Sequence, residues 1–266
     1  MGSVLLLVAC AVVAAVAASV ARSRRTDARA RSLMALAERL GLSYSAVDLF
    51  HDAWQPFPLF GLGTERGVEN VVYGTLGEVE VRAFDYWYRS EDPSHLRAEP
   101  LLASRTTRYS CAGVGLGASC PPLVVQRHEA ADRLLELVEG DLVELDLDAF
   151  NRRFAVRSPD RRFAMALLDQ RMMAAVLTLP DPATLLVAED RLLLVAPGLP
   201  AQGVEELLRA AARSQAAVPH VLASLYPLRA GFRPQDRAPA ASDAARAAAA
   251  IDPAGEPSDT TGLWWF

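Results

Sequence analysis

The chain has 266 residues, of which 52% are hydrophobic and 22% are charged, and its formal net charge is -5. A chain of this length can bury one good core, and one domain with tails fits it better than two domains. The net negative charge argues against nucleic acid as a partner, because phosphate binding needs a concentrated basic surface.

An uncharged apolar segment lies near the beginning of the sequence, at residues 2–21. At a rise of about 1.5 Å per residue, such a helix spans roughly 30 Å, the thickness of a bilayer core, so a transmembrane helix is predicted. A cleaved signal peptide is an alternative, with the small residues 15–17 as the cleavage site. A lipoprotein anchored through Cys10 is another, although the apolar run continues past this cysteine.

Basic residues crowd the C-terminal flank of this segment, and the nearest are Arg22, Arg24 and Arg25. The positive-inside rule then predicts a single-pass protein of the cell membrane with its N-terminus outside and its folded part in the cytoplasm. These membrane-proximal basic residues could also attract anionic lipid headgroups, but the favoured interpretation is that they only stop transfer and fix the topology.

The first elements of the folded part follow directly. Apolar spacing predicts a helix over residues 33–40 that ends at Gly41. The segment 47–67 is rich in glycine, proline and aromatic residues, which predicts a loop with aromatic anchors. Alternation then predicts a hairpin of residues 68–74 and 78–88, with its turn at Leu76 and Gly77.

Three kinds of side chain are candidates for chemistry. Asp85 lies among aromatic residues, where its pKa could be raised, but a hydrogen-bonded strand residue is the favoured interpretation. Cys111 and Cys120 flank a glycine-rich run, and we expect free, reduced thiols in the cytoplasm, whereas export would permit a disulfide; a redox pair is a further alternative. Three carboxylates on one face of residues 143–148 form a solvated face rather than a cation site, because no ion-wrapping loop accompanies them.

Strands are predicted next at residues 106–114 and 123–126, followed by an amphipathic helix over 129–138. The densest pattern covers residues 148–179. It predicts a short turn capped by Asp148, a strand over residues 154–157, and one long helix with Ser158 as its N-cap and Pro159 in its first turn. The apolar face of that helix predicts packing against a sheet.

The same stretch resembles a family of membrane-anchored proteins of actinobacteria and related bacteria with no assigned activity. The resemblance covers about residues 36–225, implies a layout, and transfers no catalytic residue. It rests on the following positions: Phe150, Asn151, Arg152, Arg153, Phe154, Asp160, Arg162, Phe163, Ala164, Arg171, Met172 and Met173.

A second hairpin is predicted at residues 184–196 around Glu189 and Asp190. A helix over residues 202–226 follows, and Pro219 must kink or divide it. The composition of residues 233–262 predicts disorder. The tail then carries an apolar cluster that can dock on a protein partner, rest on the membrane interface or fold back: Leu263, Trp264, Trp265 and Phe266.

These patterns predict an α+β fold, an antiparallel sheet with helices packed on one side, preceded by one transmembrane helix. The expected domains are the anchor with its basic flank (1–25), one globular domain (26–232) and the tail (233–266). We expect a binding or scaffolding module that faces the cytoplasm, with no catalytic set, metal site or cofactor. The alternative is an enzyme whose site unites distant residues: Cys111 with His51, His95 or His128, or Asp85 as an acid or base.

Overall fold

The computed structural model describes Arg24 and residues 26–50, 56–91, 104–130 and 134–228. Helix α1 covers residues 26–40. The strands are β1 (Ser43–Val47), β2 (Glu65–Leu76), β3 (Val79–Glu91), β4 (Ser104–Arg127), β5 (Asp141–Leu142), β6 (Phe154–Ser158) and β7 (Thr184–Pro197). The other α-helices are α2 (Asp148–Asn151), α3 (Arg161–Leu167), α4 (Gln170–Leu177), α5 (Ala201–Ala217) and α6 (Val221–Leu225), and two short 3-10 helices cover Pro58–Gly61 and Leu134–Leu137.

The long strand β4 organises the sheet. Strand β7 pairs with it from Tyr109 to Val125, and every pairing in the sheet is antiparallel. On the opposite edge of β4, the first half binds β3, which continues to β2 and β1. The second half of that edge binds β6, which continues to β5. The predicted α+β fold with an antiparallel sheet is therefore confirmed, with seven strands.

Two separate hydrophobic clusters cover the two faces of the sheet. The larger cluster contains residues from the apolar faces of α1, α3, α4, α5 and α6. Leu36, Phe163 and Leu208 are buried in it, each at most 2% exposed. The smaller cluster lies under the irregular segment and the two 3-10 helices, with Phe57 and Leu59 as buried anchors. The α-helices of the larger cluster thus pack on one side, and aromatic anchors cover the other.

Two predicted strand patterns were wrong in their connectivity. Residues 184–196 form one continuous strand and not a hairpin, because Glu189 takes a left-handed conformation (φ 51°) that shifts the register without reversing the chain. The strands predicted at 106–114 and 123–126 are two parts of β4. Periodicity alone does not distinguish a bulge inside a strand from a turn between two strands.

The predicted long helix over residues 160–179 is two helices. Asp160 caps α3: its carboxylate accepts a hydrogen bond from the Phe163 amide at 2.9 Å. Asp169 caps α4, and its carboxylate accepts from the Met172 amide at 2.8 Å. Ser158, the predicted cap, instead donates its hydroxyl to the Pro122 carbonyl at 2.8 Å. Asp148 is likewise the first residue of α2 and not its cap.

Other elements follow the predictions more closely. Helix α1 ends at residue 40 with Gly41 at φ 68°, the β2–β3 hairpin turns at Gly77 with φ 67°, and the helix near Pro219 is divided as predicted. In place of the amphipathic helix over 129–138, the described residues hold a 3-10 helix at Leu134–Leu137. Strand β1 was not predicted, because Ser43–Val47 lacks a run of apolar residues.

The predicted transmembrane segment, residues 2–21, lies outside the described residues. Among the helices that are described, none combines the length and the apolar character needed to cross a bilayer.

Candidate functional site: a cleft at the start of the first helix

Strand alternation places Asp85 on the helix-covered face of the sheet. Its neighbours Phe84 and Tyr86 point into the smaller cluster on the other face, where both are 2% exposed. Across the sheet, Asp85 lies opposite Ser110 of β4 and Glu69 of β2. A carboxylate is therefore buried, at 8% exposure, on the face of the sheet that also carries the larger hydrophobic cluster.

Four hydrogen bonds satisfy this carboxylate. Arg29 of α1 donates from Nε to Oδ2 at 3.0 Å and from Nη2 to Oδ1 at 2.8 Å, which is a bidentate pair. Asn70 donates to Oδ2 at 3.1 Å, and the Ser110 hydroxyl donates to Oδ1 at 3.2 Å. The favoured interpretation of Asp85 as a hydrogen-bonded strand residue is confirmed. Charged pairs of this fork geometry are stronger and more directional than neutral hydrogen bonds.

The Asn70 side chain reaches Asp85 because of a bulge in β2. Asn70 adopts φ 57°, a left-handed conformation that asparagine tolerates better than most residues, and the register of β2 shifts at this point. Its Oδ1 accepts from the Tyr44 hydroxyl at 2.8 Å, which extends the network to β1. Burial first, and then the nearby charge of Asp85, raise the pKa of Tyr44, so this phenol remains a donor at neutral pH.

Ser110 links the network to the start of α5. Its Oγ accepts from the Leu199 amide at 2.9 Å and lies 3.3 Å from Arg29 Nη2. The network consequently joins the first helix, the four neighbouring strands β1 to β4 and the segment that leads into α5.

A cleft of about 540 Å³ opens beside this network, and Thr26, Arg108, Tyr109 and Pro200 also line it. Arg108 and Glu69 form an ion pair at its rim. The two arginines and two carboxylates of the cleft therefore balance in charge. Since Asp85 is already bound by four donors, the arrangement holds α1 to the sheet and does not present a poised acid or base.

The two cysteines do not form a reactive pair. Both are free thiols on β4, but Cys111 belongs to the smaller cluster and Cys120 to the larger one. Nine residues of extended strand separate them by roughly 30 Å, whereas a disulfide needs Cα atoms within about 7 Å. The structure therefore agrees with the expected free thiols, and it excludes the alternatives of a disulfide or a redox pair between these two cysteines. Burial raises the pKa of Cys111 well above its usual range and that of Cys120 to about 12.

The other candidates stand apart from one another. His128 follows the end of β4, is exposed, and bonds through Nε2 to the Asn151 carbonyl at 2.9 Å, far along the strand from Cys111. Glu144, Asp146 and Asp148 are exposed, and no cluster of His, Cys, Asp or Glu suited to a metal occurs in the part of the chain that the structure describes.

Several predicted site residues lie outside the described residues: His51, His95, Arg22, Arg25, Leu263, Trp264, Trp265 and Phe266. Arg24 is described, and it is exposed in a helical conformation just before α1. Sequence reasoning missed the pairing of Arg29 with Asp85, because the two residues are 56 positions apart in the sequence. A carboxylate inside an apolar strand, with arginine on a neighbouring helix, was the available signal.

No protein-family model matches this chain, and no curated protein matches it either. A solved structure does: the mycobacterial trehalose monomycolate transport factor A, at 17% sequence identity and a TM-score of 0.50. The match covers 71% of this chain and 96% of that one. At this identity, the likeness shows a shared fold alone.

Proposed function

We propose that this protein is a single-pass, membrane-anchored binding or scaffolding module whose folded domain faces the cytoplasm. The observation that carries the proposal is the Arg29–Asp85 pair. It fixes α1, which begins within a few residues of the apolar segment 2–21, to the centre of the sheet. A bound helix at this position transmits the orientation of the anchor to the whole domain.

The direction of insertion rests on the basic flank. Arg22, Arg24 and Arg25 follow the apolar segment, and positive residues are retained on the cytoplasmic side. At roughly 1 kcal/mol per residue near an anionic surface, the same arginines also favour contact between the start of α1 and lipid headgroups.

A non-enzymatic role is supported by the chemistry of the described residues. Asp85 serves as a structural clamp, the two thiols are buried with raised pKa values, and Cys111 lies far from His128. The alternative, an enzyme, retains the cleft beside Asp85 as its best support. The solved structure with this fold is a transport factor, and we propose an accessory role of that general kind.

For the binding element, we propose the apolar cluster Leu263, Trp264, Trp265 and Phe266. Tryptophan and phenylalanine bring large contact areas of about 150–250 Å² each, which suits a short peptide motif that docks on a partner.

Affinity capture from membranes tests this assignment. We compare the full chain with a variant in which Trp264→Ala and Trp265→Ala are combined, and with Ile251→Ala as the matched tail control. The proposal predicts partners that the double variant loses and the control retains. Identical partners for all three proteins would remove the cluster from the account.

A further inference from the structure

A second cavity lies where the described chain ends, and we name it the exit groove. Its volume is about 650 Å³, and its lining includes Cys120, Pro121, Pro122, Glu189, Tyr226 and Leu228. The groove exists because β4 and β7 both depart from regular pairing here. Their register shifts between Gly115 and Leu123, and Glu189 takes φ 51°.

The segment after α6 is fixed to one wall of this groove. The Ser119 amide donates to the Tyr226 carbonyl at 2.8 Å. The Tyr226 hydroxyl donates to Asp160 Oδ2 at 3.2 Å, and its ring meets Phe163 edge-on at 5.2 Å. The chain therefore reaches residue 228 at a defined position on the rim.

Exposed apolar side chains surround this position. Val221 and Leu225 are four residues apart on α6 and are 51% and 57% exposed, and Leu228 is 40% exposed. Residues at this spacing share one helix face, so an apolar surface continues from α6 to the rim of the groove. Such a surface next to a cavity is typical of a docking site for a short apolar segment.

We propose that the exit groove binds the cluster Leu263, Trp264, Trp265 and Phe266 of the same chain. Only the 34 residues 229–262 separate this cluster from the rim. A random-coil segment of 34 residues would have a root-mean-square span of about 30 Å, so the length of the connection allows the cluster to return to the rim. Tethering at such distances gives effective concentrations near the millimolar range, so even a weak contact is populated.

Part of the lining suits aromatic side chains in its chemistry. Proline rings and Tyr226 line the groove and offer apolar surfaces on which aromatic rings pack. The exposed carboxylate of Glu189 provides an acceptor for an indole N–H, which is a donor only. The groove and the cluster are both on this chain whichever side of a membrane it faces, so this proposal does not depend on the orientation of the anchor. It makes the groove and the proposed partner competitors for the same cluster: the groove holds the cluster when no partner is bound, and the partner takes it from the groove.

Tryptophan emission of the full chain in lipid nanodiscs tests the inference. Trp54 and Trp87 contribute a background, which is removed by subtracting the spectrum of the combined variant Trp264→Ala and Trp265→Ala. The difference spectrum reports the two cluster tryptophans. We expect it to be blue-shifted in the natural sequence, and Leu225→Asp should shift it to the red.

Met34→Asp is the matched control, because Met34 is 44% exposed on α1 and lies outside the groove. It should leave the blue-shifted emission unchanged. Leu228→Asp provides a second groove variant, and cooperative thermal unfolding of each variant shows that it has folded.

Three results would overturn the proposal. Red emission in the natural sequence would mean that the cluster is solvated. Blue-shifted emission that survives both groove variants but is lost in detergent would place the cluster in lipid. Blue-shifted emission that survives them in every medium would place it elsewhere on the protein.

Discussion

At the scale of single residues, Asp85 shows how a charge is accommodated in a sheet. Burial of an unpaired carboxylate is unfavourable, because the charge loses its hydration. Bidentate hydrogen bonds from Arg29 and one each from the neutral donors Asn70 and Ser110 offset this loss. By contrast, the ion pair of Arg108 with Glu69 lies at the surface, where water competes and side-chain ordering opposes binding. Two ion pairs beside one cleft should therefore differ strongly in their contribution to stability.

We predict that Asp85→Ala lowers the free energy of unfolding by about 3 kcal/mol, because it leaves Arg29 and the buried Asn70 amide without their acceptor. Glu69→Ala is the control, and it should cost less than about 1 kcal/mol. Denaturant midpoints of the two variants measure the difference. Equal losses would show that the Asp85 network is not the clamp described above.

Gly140 has a backbone angle and surroundings that leave no room for a side chain. Gly140 has φ 113°, and a Cβ placed there would lie 2.5 Å from the backbone of Ser158 and Pro159. Gly115 in β4 has no neighbour within 4 Å of such a Cβ and no positive φ.

Gly140→Ala should therefore destabilise the protein by at least about 2 kcal/mol, since strain and a backbone clash combine. Gly115→Ala should leave stability unchanged or raise it by up to about 1 kcal/mol, because alanine loses less backbone entropy than glycine in a strand. Thermal unfolding of both variants tests the contrast. A Gly140→Ala protein as stable as the natural sequence would contradict the close approach of β5 to β6.

At the scale of elements, α1 is bound to α5 as well as to the sheet. Glu205 of α5 accepts from Arg39 of α1 at 2.6 Å and from Arg209 of its own helix at 3.0 Å. The hydrogen bonds from Arg39 and Arg209 lower the pKa of Glu205. Their contribution is consequently linked to pH.

Because the pKa of Glu205 is lower in the folded state, its stabilising contribution is fully present above the unfolded-state pKa of about 4.3 and is lost as the pH falls through the folded value. We expect the natural sequence to be more stable than Glu205→Gln at pH 7, with the difference shrinking below about pH 4.3. Unfolding free energies of both proteins across pH 3–7 measure it. A constant difference over that range would contradict the linkage.

The elements also show what a sequence can and cannot indicate. Gly41, Gly77 and Pro219 mark boundaries through backbone geometry alone, and each was predicted in its place. The bulge at Glu189 was mistaken for a turn, since both require an unusual backbone angle. Asp160, and not the predicted Ser158, caps α3, because the Ser158 hydroxyl donates to the carbonyl of Pro122 on a distant strand.

The candidate site was predicted less completely than the fold. Asp85 stood out as a carboxylate in an aromatic strand, but its partner Arg29 is 56 residues away in sequence. Only the packing of α1 on the sheet brings the two together. The separation of Cys111 from Cys120 likewise depends on β4 being continuous through its glycine-rich run, which local composition did not indicate.

At the scale of the whole molecule, the proposed anchor would bring one end of the sheet near a membrane. At most about 3.5 Å per residue, the four residues 22–25 span no more than roughly 14 Å between the apolar segment and α1. If residues 2–21 cross the bilayer, the cleft beside Arg29 and Asp85 lies close to the lipid headgroups. The exit groove belongs to the opposite part of β4, where β7 carries its bulge.

Paired topology reporters show on which side of the membrane the folded domain lies. One fusion after Phe266 carries a protein that fluoresces only in the cytoplasm, and the other carries a phosphatase that is active only outside. We expect fluorescence without phosphatase activity, and reversal of both signals when Arg22, Arg24 and Arg25 are replaced by glutamine and arginines are added before residue 2. Phosphatase activity from the natural sequence would overturn the proposed orientation and would place the domain and its partners outside the cytoplasm.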